Sequence, residues 1–308
     1  GGKIYCCGGY DGRKVLDAAA AFDVESGAWE PLPKMSSRRS QAAAVAAGKK
    51  VLLCGGFNGF EALSSAECFD PEAGAWAALP PMAQGRVDPA LAVAYGRVFA
   101  CGGAGGGVSL RTVEAFDIKK NVWQPIAPML EARRAAAAAA LSGQLWVSGG
   151  HSGLKCLASV ETLAFVPKEA KDWKEQFPML KPRYNGIAAV LGSIVLMDAG
   201  YAVEGGRLYV CGGHDGKEDL DTLEYFDPER GDKGEWVTSQ AKLEKPRFMA
   251  AGAVHADSLD KPPPPEDLEA TQLPTPDEAR PPGSAEPKAA QPPAPGGARP
   301  PGSAEPKA

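Results

Sequence analysis

Apolar positions along the chain fall in short runs, each closed by glycine or by a polar turn. Ala90–Tyr95 and Arg97–Cys101 stand on either side of Gly96, and Leu208–Cys211 ends against Gly212-Gly213. Runs of this length bounded by turn residues predict β-strands rather than helices. They also return in a fixed order. A Gly-Gly pair stands at Gly8-Gly9, Gly55-Gly56, Gly102-Gly103 and Gly149-Gly150, 47 residues apart, and again at Gly212-Gly213. After each pair comes a Trp (Trp29, Trp76, Trp123, Trp173, Trp236), then Met35, Met82, Met129, Met179 or Leu243, then Arg39, Arg86, Arg133, Arg183 or Arg247. A period of about 50 residues marks a repeat architecture.

Each unit reads as four strands, a to d. Strand a follows the Arg, strand b runs into Gly-Gly, strand c carries Glu and an aromatic (Glu67-Cys68-Phe69, Glu114-Ala115-Phe116, Glu224-Tyr225-Phe226), and strand d holds the Trp. Asp23, Asp70, Asp117 and Asp227 open the c–d turn with a side chain that bonds turn backbone. One four-stranded sheet cannot bury both faces alone. Sheets set radially about an axis bury them against each other, with Trp filling the wedge. Ala leads the helix scale, but the repeat register places Ala135–Ala140 on strand a, where small side chains fit.

The run Gly-Gly-x-Asp/Asn-Gly, then Val/Ala/Leu-Glu-x-Phe-Asp, then Trp, Met and Arg resembles the kelch repeat, most closely that of kelch-like (BTB-kelch) adaptor proteins. The resemblance covers residues 1 to about 257 and implies an all-β kelch propeller with five full blades. Two departures stand out: Ala20 replaces the Glu of the first unit, and Ala164 interrupts the aromatic-Asp pair of the fourth. The chain enters at strand b of the first unit, with no Met, and Arg247–Val254 is a strand a with no strand b after it. Pairing of that last strand with Ile4–Cys7 is expected to close the ring, and the missing Met suggests a fragment. Between Arg183 and Gly212 the chain carries a strand-b-like stretch, Gly192–Gly200, and then Tyr201–Tyr209, which repeats the end of a strand a and the start of a second strand b. Either a sixth unit without its c and d strands or a hairpin insertion explains them, and both leave five complete blades.

After Asp257 the composition turns to Pro, Ala, Gly and charge, and Ala279–Ala289 recurs verbatim as Ala298–Ala308. Residues 258–308 are therefore expected to be a disordered low-complexity tail beyond a propeller over 1–257. A net charge of −5 gives no general basic footprint for nucleic acid. No apolar run approaches a membrane span, and no leader is visible, so a cytoplasmic location is expected. Cys7, Cys54, Cys101 and Cys211 share one repeat position. The blades hold these thiols apart around a ring, so no metal and no cofactor are expected.

In a four-stranded meander the b–c and d–a loops share one rim. The expected partner-binding rim is Tyr10, Phe57, His151 and His214 from b–c loops, with Arg38, Arg134, Tyr184, Asn185 and Phe248 from d–a loops. The b–c tips are Arg13, Phe60, Leu154 and Lys217. The Arg that recurs in every unit is read as a structural ion-pair partner of Glu67, Glu114, Glu161 and Glu224. The non-periodic residues are then the ligand candidates, since the fold does not demand them. Aromatics and Arg on one rim suit a protein or peptide ligand, acidic segments included. Three His and no paired nucleophile argue against catalysis and a small-molecule substrate. The resemblance implies a non-catalytic interaction module, as in the substrate-recognition half of a ubiquitin ligase adaptor. An actin-binding or scaffold kelch protein is the alternative, and a galactose-oxidase-like enzyme or sugar isomerase a third.

Overall fold

The computed structural model describes residues 2–165, 172–197, 200–231 and 234–243. They form five antiparallel blade sheets, one small two-stranded hairpin and no helix, so nothing among them is a helix long and apolar enough to cross a membrane. The first sheet is β1 (Lys3–Cys7), β2 (Ala19–Asp23) and β3 (Ala28–Leu32). The second is β4 (Ala43–Ala47), β5 (Lys50–Cys54), β6 (Ala66–Asp70) and β7 (Ala75–Leu79). The third is β8 (Ala90–Ala94) and β9 (Arg97–Cys101), then, beyond the small hairpin β10 (Ala104–Gly105) and β11 (Val108–Ser109), β12 (Val113–Asp117) and β13 (Val122–Ile126). The fourth is β14 (Ala137–Leu141), β15 (Gln144–Ser148), β16 (Val160–Ala164) and β17 (Lys174–Gln176). The fifth is β18 (Ile187–Met197), β19 (Gly200–Cys211), β20 (Thr222–Asp227) and β21 (Glu235–Lys242).

The strand order is a-b-c-d in the second to fifth sheets and b-c-d in the first, and the a strands β4, β8, β14 and β18 neighbour one another from blade to blade. This is a five-bladed propeller with strand a innermost. Strands b and c, sandwiched between neighbouring blades, are buried on both faces, as β6 and β9 show, while the outer strand β7 is largely exposed. The wedges between blades are apolar. Leu52, Cys68, Val98 and Phe116 fill one, and Phe99, Val113, Leu145, Val147 and Trp173 fill the next. Trp146, Val160, Leu208, Phe226 and Trp236 fill the one after. The alanine-rich stretch lies in strand β14, since close approach of neighbouring a strands favours small side chains over helix propensity.

Each wedge is also latched by a hydrogen bond. The Trp76 Nε1 donates to the Pro33 carbonyl at 2.9 Å, Trp123 to Pro80 at 2.9 Å, Trp173 to Ala127 at 2.7 Å and Trp236 to Phe177 at 2.9 Å. Each acceptor lies on the preceding blade, so the indole packs a wedge and fastens it at once. Trp29 of the first blade packs on Phe22 at 5.3 Å and remains 39% exposed.

The irregular stretch before the fifth blade is one long hairpin. Ile194 pairs with Val203 and Met197 with Gly200, continuous with the Ile187–Cys211 ladder except for a register shift between Leu191 and Ser193. These residues belong to the same sheet as the fifth blade, which they extend, and the described residues form five blades. Residues 247–254 and the expected tail lie outside the described residues, and with them the expected ring closure.

Candidate functional site

The recurring Arg is structural. The Arg39 guanidinium meets the Glu67 carboxylate at 2.5 Å and Arg86 meets Glu114 at 2.9 Å, and Arg133–Glu161 and Arg183–Glu224 repeat the pair. All four Arg are buried. The second guanidinium nitrogen donates to the carbonyl of the Gly-Gly pair, as Arg133 does to Gly149 at 2.7 Å. Each Glu also accepts a backbone amide just after the repeat Met: Ser36 at 2.8 Å, Ala83 at 2.7 Å, Leu130 at 2.6 Å and Leu180 at 2.7 Å. One ion pair thus ties strands b and c of a blade to the loop arriving from the previous one. The Arg backbone is held in turn by the previous blade, where Gly103 N–H donates to the Arg133 carbonyl at 2.9 Å. A Cβ on Gly102 would come within 2.2 Å of that same oxygen, and Gly102 has φ +59, so this position requires glycine.

With those arginines occupied, the rim is defined by what surrounds them. The b–c and d–a loops pair directly: Ser40 bridges Phe57, Val87 bridges Ala104, Arg134 bridges His151 and Tyr184 bridges His214. The two loop sets expected to share a rim therefore do so. Side-chain-capped turns hold the b–c tips. Asp11 Oδ1 accepts the amides of Arg13 and Lys14, Asn58 Oδ1 those of Phe60 and Glu61, and Asp215 Oδ1 those of Lys217 and Glu218. Ser152 Oγ accepts those of Leu154 and Lys155 at 3.3 and 3.2 Å. These fixed turns present Phe60 at 94% and Leu154 at 96% exposure.

Further in, the Tyr184 ring lies between His151 and His214, with centroids 5.5 Å away on each side. Arg134 is exposed beside His151. Its guanidinium, after burial, helps hold the His151 pKa below the ordinary imidazole value. Nearest the axis runs a backbone belt. Asp88 N–H donates to Gln41 O at 2.9 Å, Ala135 to Asp88 at 2.9 Å and Asn185 to Ala135 at 2.8 Å. All four belt residues take left-handed backbone, with φ of 53, 50, 51 and 54° for Gln41, Asp88, Ala135 and Asn185. The Gln41 amide donates to Asp88 Oδ2 at 2.8 Å. Burial pushes the Asp88 carboxyl up to about 6, against the Gln41 bond and the Arg134 charge, which both lower it.

Of the expected rim residues, Tyr10 is 63% exposed and Arg38 and Arg134 stand in solvent. Phe57, His151, Tyr184, Asn185 and His214 are half-buried and partly structural. Tyr184 is pinned between two rings, and Asn185 is a belt residue. Phe248 lies outside the described residues. Asp88 and Gln41 were absent from the expected set. Their only sequence sign is a place two residues after the repeat Arg, shared with Ala135 and Asn185.

Burial raises the thiols of Cys7, Cys54 and Cys101 to about 12, which suits small core residues rather than ligands or nucleophiles. Among the described residues no three His, Cys, Asp or Glu side chains gather as a metal ion would need.

A family model described as "Kelch motif" matches residues 1–36, 38–83, 85–130 and 198–238. It passes over the fourth blade, whose sheet β14–β17 is complete and whose Arg133–Glu161 pair is intact. A search of curated proteins found no match. Among solved structures, one titled "Structure of YjhT" aligns with a TM-score of 0.62 and 14% sequence identity, covering 77% of this chain and 81% of that one. At that identity the likeness is one of fold.

Proposed function

The chain belongs to the kelch family, whose motif matches over more than half its length, and we propose that it is a non-catalytic module that grips a protein or peptide on the rim shared by its b–c and d–a loops. One contrast carries this reading. The periodic arginines are buried in ion pairs, whereas the non-periodic Arg38, Arg134, Tyr10, Phe60 and Leu154 stand out on one face. Aromatic and Arg side chains are the types that dominate binding energy at interfaces. Arg134 and Arg38 suit carboxylates of an acidic segment, through charge-assisted bonds.

The finer reading is substrate recognition within a ubiquitin ligase adaptor in the cytoplasm, supported by the repeat consensus that this chain shares with kelch-like adaptors. Affinity capture from cells tests both levels, comparing the wild type with Phe60→Ala/Leu154→Ala and with Arg134→Ala. Loss of the same captured proteins in both variants, at unchanged melting temperature, supports the rim. A cullin among those proteins supports the adaptor role. Sedimentation with actin filaments, abolished by the same substitutions, would replace the adaptor with a scaffold.

A further inference from the structure

Two of the b–c turns are capped by histidine. Gly153 N–H donates to His151 Nδ1 at 3.0 Å, and Gly216 N–H donates to His214 Nδ1 at 2.8 Å. The same place in the first three blades holds Tyr10, Phe57 and Ala104, which offer no acceptor there. A ring nitrogen that accepts an amide carries no proton, so both neutral imidazoles are held as the Nε2–H tautomer. A second proton can add only at Nδ1. It would face the amide N–H and break the bond.

We propose that His151 makes its sector of the rim a pH-sensitive switch: acidification uncaps the b–c turn of the fourth blade, while those of the first and second stay fixed. The charged and titratable neighbours set the order of events. His151 faces Arg134 and the Tyr184 ring. His214 faces Tyr184, Asp219 at 3.9 Å from Nε2, and Asp215. Lys181 and Cys156 in turn face Asp215. Burial and then Arg134 oppose a charge on His151, so the cap on Gly153 is stable at neutral pH and is lost as pH falls below the ordinary imidazole range, about 6.5. The fourth-blade turn then keeps the Ser152 N–H bond to the Lys155 carbonyl at 3.0 Å, while the Leu154 amide is left on Ser152 Oγ at 3.3 Å, so the Leu154 tip loosens. The fifth-blade turn is held by Asp215 as well, whose pKa its two amide bonds lower. The tips of the first two blades rest on Asp11 and Asn58 and do not respond in this range. The consequence for affinity, weaker gripping in acid, rests on the rim being the docking face. The switch itself does not.

The test needs no partner. In ¹⁵N-labelled protein, a scalar coupling across the hydrogen bond between the Gly153 amide and His151 Nδ1 is expected at pH 8 and absent at pH 5. The Leu154 backbone order parameter should fall from about 0.85 to below about 0.6 over that interval, while Phe60 holds. His151→Asn offers a side-chain oxygen that caps at any pH, so Leu154 in that variant should stay ordered at pH 5. A protonated Nδ1 at pH 8 would overturn the proposal, as would an unchanged Leu154 at pH 5 or an equal loss of order in His151→Asn. Because these readouts involve no partner, they stand or fall separately from the capture experiment.

Discussion

Arg133 and Arg134 are adjacent in the chain and identical in chemistry, yet the structure gives them opposite roles. Arg133 is fully buried. It donates to Gly149 O at 2.7 Å, to Ser159 O at 3.1 Å and to Ser159 Oγ at 3.1 Å, and pairs with Glu161. Arg134 is exposed, its backbone bridges His151, and its charge acts on the His151 ring and the Asp88 carboxyl. Arg133→Ala would leave the Glu161 carboxylate buried at 2% exposure without its counter-charge. Breaking a buried pair from one side costs about 3–5 kcal/mol. At about 2–4 °C per kcal/mol for a domain of this size, the melting temperature should fall by roughly 6–20 °C. Arg134→Ala should stay within about 0.5 kcal/mol, the usual range for a surface change. Glu161→Leu placed on Arg133→Met should recover part of the loss, since removing both charges removes the stranded one. Urea denaturation of wild type, Arg133→Met, Glu161→Leu and their double, analysed as a double-mutant cycle with Arg133→Ala and Arg134→Ala alongside, measures this. Similar midpoints for Arg133→Ala and Arg134→Ala would refute the division between structural and functional arginines.

Trp123→Phe keeps an aromatic in its wedge but strands the Pro80 carbonyl, and should lower stability by about 1–2 kcal/mol in urea. Asp88 has a folded pKa raised to about 6, above the ordinary carboxylate value of about 3.9. The folded state therefore holds a proton on Asp88 that the unfolded state releases, so the contribution of Asp88 to stability is greatest below about pH 4 and declines as pH rises through 6. Asp88→Asn should flatten that part of the urea-midpoint profile, and an unchanged slope would show that Asp88 is not the group responsible. Gly102→Ala should prevent a stable fold, seen as loss of soluble protein or a large fall in melting temperature, because the new Cβ would meet the Arg133 carbonyl.

Much of the fold was legible because its determinants repeat. Gly-Gly, Trp, Met and Arg located every blade, including the fourth, which the family model omits. The Arg–Glu pairing was legible for the same reason: two charged residues that recur in register inside apolar strands must meet. What escaped was carried by backbone. The acceptors of the Trp latches are carbonyls of Pro33, Pro80, Ala127 and Phe177, four different positions in chemistry that share only their place in the loop. The belt of left-handed residues has no common side chain either, since Gln41, Asp88, Ala135 and Asn185 are united by φ alone. The rim was legible as a location, because meander topology dictates which loops meet. Which of its residues are free to bind was not, because stacking of Tyr184 between two histidines depends on neighbouring blades.

The central claim is that the rim of b–c and d–a loops, and not the opposite rim, carries the partner. Site-specific photocrosslinking tests it most directly, with p-benzoylphenylalanine placed at Phe60, at Leu154, or at Val24, an exposed residue on the opposite c–d turn. Adducts with the same captured protein from positions 60 and 154, and none from 24, are the expected result. Adducts from 24 with positions 60 and 154 silent would contradict it.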